Sequence, residues 1–342
     1  MNKTDILSLY PHELSDMIAE LGEKNFRAGQ IFDWLHNKRV QSFDDMTNIP
    51  LSLRTKLDKI FCINRLNVVK ILESSIDNTV KYLYGLPDDN HIECVLMDYK
   101  HGNSLCISTQ VGCKMGCKFC ASTIAGFKRD LTAGEMLSEV YEAERQSGRK
   151  VESLVLMGIG EPLDNFDNVI RFLDLLSCPE GKNLSLRHVS LSTCGLVDDI
   201  YRLAELRLGL TLSVSLHAAD DISRSSIMPV NNRYNIKTLL EACRYYIKTT
   251  GRRISFEYSV IKDVNDSERD ALKLIALLKG MNCHVNLIPV NEIKERDFKS
   301  DSGSVQRFRH MLEKGGLNVT VRRTLGSDIN AACGQLRREY EI

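Results

Sequence analysis

Cys113, Cys117 and Cys120 sit in the run QVGCKMGCKFCAS, spaced C-x3-C-x2-C. A tetrahedral structural zinc site takes four nitrogen or sulfur ligands, and this run offers three with no nearby histidine to close the shell. Three thiolates suit a [4Fe–4S] cube whose fourth iron stays open for a substrate group, whereas a cluster that only carries electrons usually takes four. A zinc knuckle completed by a distant ligand, or buried inert thiols, are the alternatives these residues leave open. Two further thiols stand out by location. Cys106 lies in SLCISTQ, seven residues before the triad, and Cys333 lies in GSDINAACGQLRREY. A strand cysteine alone reads as a small hydrophobe, while one in a Gly- and Asp-containing loop is a candidate for function.

Such residues need elements to hold them. From Ser104 the runs SLCIS, SLVLMGI, HVSLSTC, LTLSVSL, ISFEYSVI and HVNLIPV alternate with amphipathic stretches of helix length. Six such units predict an α/β fold with a parallel sheet, a partial (β/α)6 barrel. Ligands in these folds gather where strands run into the following loops, and the cysteine loop follows the first of these strands. The second strand ends in MGIGEPLDN, where Gly158 and Gly160 permit close backbone approach and Glu161 offers a carboxylate to an ammonium or ribose. Ser192 and Thr193 end the third strand, Ser215-Leu216-His217 the fourth, and Asn291 follows the sixth. Singly, each reads as a cap or loop hydrogen bond; together they outline a pocket. His217 reads as a ribose or carboxylate contact rather than an iron ligand.

Ahead of the barrel, residues 1–65 show helical spacing (Leu14, Met17, Ile18, Leu21; Ile31, Phe32, Trp34, Leu35; Leu53, Leu57, Ile60) and form a small helical accessory domain. It serves packing, or docks nucleic acid through residues such as Lys24, Arg27, Lys38 and Arg39. Residues 66–98 form a β extension or linker, with β-like runs at 67–74, 79–86 and 91–98 and a turn at Asp88-Asp89-Asn90. Residues 99–330 make the core and 331–342 a C-terminal segment carrying Cys333. The 342 residues hold 45 Lys and Arg against 45 Asp and Glu, so bulk charge announces no polyanionic partner. Eleven scattered cysteines, a polar start and no apolar run of about 18 residues read as a cytoplasmic chain with reduced thiols and no membrane contact.

The triad, with Phe119 before its last cysteine, resembles the radical S-adenosylmethionine (SAM) superfamily, in which the open iron chelates SAM and its cleavage gives a 5′-deoxyadenosyl radical. Met157 to Pro162 matches the superfamily's GGEP-like segment. The combination LCIS-x2-VGC-x3-C-x2-C, MGIGEP, SLHA, HVNLIPVN and DINAACGQL, spanning Val68 to Leu336, resembles the RlmN family of 23S rRNA/tRNA adenine-C2 methyltransferases. The resemblance implies the cofactors [4Fe–4S] cluster and SAM, with metal ligands Cys113, Cys117 and Cys120, and SAM contacts at Gly160, Glu161, Ser192, Ser215, Leu216, His217 and Asn291. It implies methylation of C2 in 23S rRNA at the peptidyl-transferase centre and in tRNA 3′ of the anticodon, using two SAM per turnover. One SAM methylates Cys333. Hydrogen abstraction from that methyl lets its carbon add to C2, a base removes the C2 proton, and Cys106 releases the product as a transient disulfide with Cys333. For the base the family points to Glu93, which Ile92, Val95 and Leu96 would shield from water. An electron donor such as flavodoxin is implied, and a monomer is expected. Cys62, Cys94, Cys178, Cys194, Cys243 and Cys283 match no catalytic position and read as packing residues. Phosphate contacts are expected at Lys128, Arg129, Arg322, Arg323, Arg337 and Arg338. Adenine-C8 methylation, a non-catalytic iron–sulfur RNA-binding or sensor protein, and an activase making a glycyl radical on a partner are the rival readings; Pro162 and Ala218 look more like the C2 branch.

Overall fold

The structure, a computed structural model, describes residues 3–290, 298–329 and 336–337. Its strands are β1 (Thr4–Asp5), β2 (Phe61–Cys62), β3 (Asn67–Glu73), β4 (Val80–Gly85), β5 (His91–Tyr99), β6 (Gly102–Cys106), β7 (Gln110–Val111), β8 (Arg129–Asp130), β9 (Val151–Leu156), β10 (Val189–Thr193), β11 (Thr211–Ser215), β12 (Ile254–Val260), β13 (Cys283–Pro289) and β14 (Val319–Val321). Its helices are α1 (Pro11–Glu20), α2 (Phe26–His36), α3 (Leu51–Ile60), α4 (Ala133–Ser147), α5 (Phe166–Ser177), α6 (Val197–Glu205), α7 (Asp221–Ile227), α8 (Ile236–Thr250), α9 (Glu268–Leu278) and α10 (Ser302–Lys314).

Ten strands form one sheet in the order β14-β13-β12-β11-β10-β9-β6-β5-β4-β3. Neighbours from β6 to β14 run parallel, with helices in the crossovers, as parallel pairing demands. The expected partial barrel is there, with a seventh parallel strand: β14 is only three residues long and half-exposed, too short to stand out as an apolar run. The expected β extension, β3 to β5, pairs antiparallel onto β6 and so widens the barrel sheet itself.

One face of the sheet packs on the helices. Leu105, Leu154, Leu191, Leu212, Phe256 and Val285 are fully buried there with Leu137, Phe172, Ile200, Leu239, Leu274 and Phe308 in one continuous core. Helix starts are locally specified: at α4 the Thr132 side chain accepts from the Glu135 N–H while the Glu135 carboxylate accepts from the Thr132 N–H.

The N-terminal helices belong to that same core and dock on α4 and α5. Arg39 pairs with Glu144 at 2.7 Å, Arg171 with Glu13 at 2.5 Å, and the Tyr10 hydroxyl donates to Asp174 at 2.9 Å. His36 is buried at this junction, with Nδ1 3.0 Å from the Tyr141 hydroxyl and its ring on Phe32. Burial, then the nearby Arg65 charge, push its pKa down to about 3. The unfolded chain therefore binds a proton that the fold refuses, and this contribution to stability is lost as pH falls from 6.5 towards 3. Asp5, raised by burial to about 6, acts in the opposite sense between about 6 and 3.8. Denaturant unfolding of His36→Phe beside the parent chain isolates the histidine. Between pH 6.5 and 4.5 the difference is expected to move in the variant's favour by about 1.4 kcal/mol per pH unit; a pH-independent difference contradicts a neutral buried imidazole.

Candidate functional site

One pocket opens at the ends of the parallel strands, lined by Cys113, Cys117 and Cys120, by Met157, Gly160 and Glu161, by Ser192 and Thr193, and by Ser215 and His217. The cysteine loop leaves β6 and is closed by the antiparallel pair β7 and β8. Gly112 sits where the loop crosses itself: its φ is +80°, and a Cβ there would stand 1.7 Å from the Gly126 carbonyl oxygen. Within the loop, the Thr123 hydroxyl donates to the carbonyls of Cys117 (3.1 Å) and Cys120 (3.0 Å). Ile227, Met228 and Ile261 make an apolar wall around Cys117, joined by Met115 and Phe119. Burial pushes the Cys113 thiol up to about 12 and the Cys117 thiol higher still. Bare, these groups hold their protons; bound iron would displace them, since ligand thiols bind as thiolates. Among the described residues no three His, Cys, Asp or Glu side chains gather as the ligands of a single ion do. A cube takes one thiolate per iron at separate corners, which three sulfurs spread along one wall can supply. The donor set fits the cluster.

The second strand end is braced tightly. Glu161 is buried, its Oε2 accepting the Cys194 N–H at 2.7 Å and its Oε1 the Leu163 N–H at 3.1 Å, while burial raises its pKa. The carboxylate thus ties β9 to β10 before it meets any ligand. Gly160 has φ +116°, and a Cβ there would lie 2.7 Å from Gln110 Cβ and 2.8 Å from the Gln110 backbone nitrogen. Gly160→Ala is expected to weaken SAM binding by about tenfold or more, because the strain falls on the pocket wall. Anaerobic equilibrium dialysis of the iron-loaded protein reads this directly, and unchanged affinity contradicts the close approach.

His217 has φ +56°; its Nδ1 accepts the Ser259 N–H at 2.8 Å, and its ring meets Phe119 edge-on at 4.7 Å. Burial, then Arg224, hold its pKa down at about 3, so it is neutral with its proton on Nε2. Leu216 differs from expectation. Its side chain lies in the helix-side core, its N–H donates to the Glu257 carbonyl, and its carbonyl accepts from Arg224. Asn291 and Cys333 lie outside the described residues.

Two other candidate residues, Glu93 and Cys106, stand on the pocket side of the sheet. Val95 stands opposite Cys106, and Cys106 opposite Val155. Directly paired residues share a face, and so do residues two apart. Glu93, Val95, Cys106, Val155 and the pocket residue Met157 therefore line one surface. Cys106 packs there with Val95 and Met97 and against Leu325. Ile92 and Leu96, expected to shield Glu93, belong to the helix-side core instead, as strand alternation requires. Glu93 is fully buried, with Oε2 3.0 Å from Lys81 Nζ and Oε1 accepting the Arg337 N–H.

Several expected phosphate contacts are otherwise engaged. Arg129 is held by Glu135 and Asp88, and Arg337 is buried. Arg39 and Lys38 pair with Glu144 and Asp33. Lys128 and Arg323 are exposed, Arg322 lines the pocket, and Arg338 lies outside the described residues. The packing reading holds for Cys94 and Cys243 in the main core. Cys194 packs too, but against Cys117. Sequence reasoning passed over Lys81, Glu257 and Arg224. Lys81 and Glu257 are charges inside apolar strand runs, TVKYLYGL and ISFEYSVI, where burial demands a partner. Glu257 faces the pocket and accepts from Asn286 and Ser255, while Arg224 donates to the Cys194 and Ser215 carbonyls behind the pocket.

The chain is similar to known proteins over nearly its whole length. Residues 4–63 match the ribosomal RNA large subunit methyltransferase N-terminal domain, and residues 107–275 the radical SAM superfamily. A Clostridium perfringens protein named probable dual-specificity RNA methyltransferase RlmN is 54% identical, covering 98% of this chain and 97% of its own length. A Lachnospira eligens protein of the same name is 52% identical over 98% of this chain and 97% of its own. The chain belongs to the RlmN family. The crystal structure of a radical SAM methyltransferase from Sphaerobacter thermophilus superposes with a TM-score of 0.92 at 41% identity, covering 97% of this chain and 98% of that one. As an RlmN-type dual-specificity radical SAM RNA methyltransferase, the chain is an enzyme that uses a [4Fe–4S] cluster and SAM. Among the described residues no helix is long and apolar enough to cross a membrane.

Proposed function

We propose that the chain methylates C2 of adenine in 23S rRNA and in tRNA through an S-methylcysteine at Cys333. Cys106 carries this reading: it stands on the inner face of the sheet in line with Glu93 and Met157, although binding SAM and making a radical require neither Cys106 nor Glu93. In this account Cys113, Cys117 and Cys120 hold the cluster. Gly160, Glu161, Ser192, Ser215, His217 and Asn291 hold SAM, with Leu216 setting the backbone between two of them. The bound cofactors supply a 5′-deoxyadenosyl radical.

The protein's own residues then do the rest. Adenine C2–H is neither acidic nor nucleophilic, so a polar methyl transfer has no route, and a carbon carried on Cys333 must add instead. Glu93 takes the C2 proton. The adduct's unpaired electron would pass to a one-electron acceptor, a role a bound cluster could fill. The Cys106 thiolate then attacks the Cys333 sulfur: an S–S bond forms, the S–C bond to the product breaks, and the released carbon keeps the electron pair and takes a proton to become the methyl group. Chain geometry supports the meeting. Asp328 is fastened to Ser74 and Ser75, and Arg337 to Glu93, on either side of residues 330–335. The four-residue span from 333 to Arg337 reaches at most about 14 Å.

The target base must be extruded or single-stranded to enter. A cytoplasmic monomer served by a donor such as flavodoxin completes the proposal. Mass spectrometry of the chain purified after exposure to methyl-labelled SAM tests it: one labelled methyl on Cys333 is expected. An unmodified Cys333 in protein that still binds iron and RNA favours the non-catalytic reading.

A further inference from the structure

Lys81 is the fully buried ammonium of the β extension, 3.0 Å from the equally buried Glu93 carboxylate. Buried ion pairs are costly, and apolar replacements of similar volume often match or exceed them in stability. Stability alone therefore gives little reason for a charge here. Position gives one. Lys81 stands opposite Val95, and Val95 opposite Cys106, so the ammonium, the carboxylate and the thiol share one face across three neighbouring strands. The carboxylate is held from two sides: Oε2 by Lys81 from within the sheet, and Oε1 by the Arg337 N–H from the segment that follows Cys333. The Glu93 backbone is fixed as well, its carbonyl accepting from the Ser108 hydroxyl at 2.8 Å, which in turn accepts the Ile159 N–H at 3.2 Å. Ile159 lies in the strand-end turn whose Gly158 and Gly160 line the SAM pocket.

Resting on the reading of Glu93 as the base, we propose that Lys81 is a positioning residue that aims the Glu93 carboxylate at the adenine C2 proton. In that step the C2–H bond of the adduct breaks, the proton passes to a Glu93 oxygen, the electron pair of that bond stays with the adenine ring, and the adduct's surplus electron would leave to a one-electron acceptor such as a bound iron–sulfur cluster. Lys81 provides the countercharge and the direction, and touches neither RNA nor cofactor. Without it the carboxylate loses its hold at Oε2, and a misplacement of about 1 Å costs on the order of 100-fold in rate. The loss falls on one step. Cys333 methylation and radical formation come earlier and keep their rates, so the enzyme stalls while joined to its RNA.

The test uses the full-length, iron-reconstituted protein as Lys81→Met, Lys81→Arg and Glu93→Gln, with three readouts: labelled methyl on Cys333, 5′-deoxyadenosine release, and covalent protein–RNA adduct on a denaturing gel. Lys81→Met is expected to retain the first two within about threefold, to lose methylated RNA by about 100-fold or more, and to accumulate adduct. Lys81→Arg, which keeps the charge, is expected to recover part of the turnover and to show a primary isotope effect with C2-deuterated RNA larger than the parent's. If Lys81→Met will not fold, Lys81→Arg decides by its isotope effect. Methylation of RNA by Lys81→Met within threefold of the parent overturns the proposal. So does a parallel fall of all three readouts in both lysine variants, or a Lys81→Arg isotope effect no larger than the parent's. If Glu93→Gln itself turns over normally, the fault lies with the base assignment; adduct in Glu93→Gln but not in Lys81→Met rejects the lysine alone.

Discussion

Cys106→Ala is expected to leave the enzyme covalently bound to its RNA. Once the Cys333-borne carbon has joined C2 and the proton has gone to Glu93, the only route out in this account is attack on the Cys333 sulfur. Cys106 is the residue on the Glu93 face placed for that attack, in line with Val95 and Val155. Removing one sulfur from its buried site costs about 1 kcal/mol, too little to unfold the chain. Turnover is expected to fall by about 10⁴-fold or more, as when one member of a catalytic unit is lost. The adduct should resist reductants, because its link is a carbon–sulfur bond and not a disulfide. A denaturing gel with end-labelled RNA reads the outcome, and free methylated RNA at near-parent rates contradicts the role given to Cys106.

The largest effect belongs to the triad. Cys117→Ala removes a buried member of the proposed ligand triad, held in the wall of Ile227, Met228 and Ile261. Iron and sulfide are expected to fall to background, and methylated RNA with them, by at least about 10⁶-fold, because no polar route replaces the radical. Cys194→Ala is the control. It packs against Cys117 without belonging to the triad, so it should keep its iron. Iron loss in Cys194→Ala as complete as in Cys117→Ala would make Cys194 a ligand and revise the donor set.

These sites differed in how plainly the sequence displayed them. The triad was legible because its chemistry is local: three thiols within eight residues need one loop and no knowledge of the fold. The rim residues were legible because apolar strands end where polar residues begin, and the structure brings Gly160, Glu161, Ser192, Ser215 and His217 into one pocket. Leu216 was the exception. Strand alternation turns it away from its two neighbours and into the core. The same alternation places Ile92 and Leu96 behind Glu93, on the opposite face, and its neglect suggested an apolar shield where an ion pair stands. Lys81 was hidden for a different reason: its partner is 12 residues away across a strand pair, and no local pattern announces which buried charges will meet. The surface arginines misled most. Arg129 and Arg337 read as free cations in the sequence, yet one is neutralised by Glu135 and Asp88 and the other is buried at Glu93.

Anaerobic reconstitution with methyl-labelled SAM, offering 23S rRNA and tRNA separately, then nuclease digestion and nucleoside analysis, tests the central claim most directly. The account predicts labelled 2-methyladenosine from both RNAs; 8-methyladenosine as the sole product would contradict it.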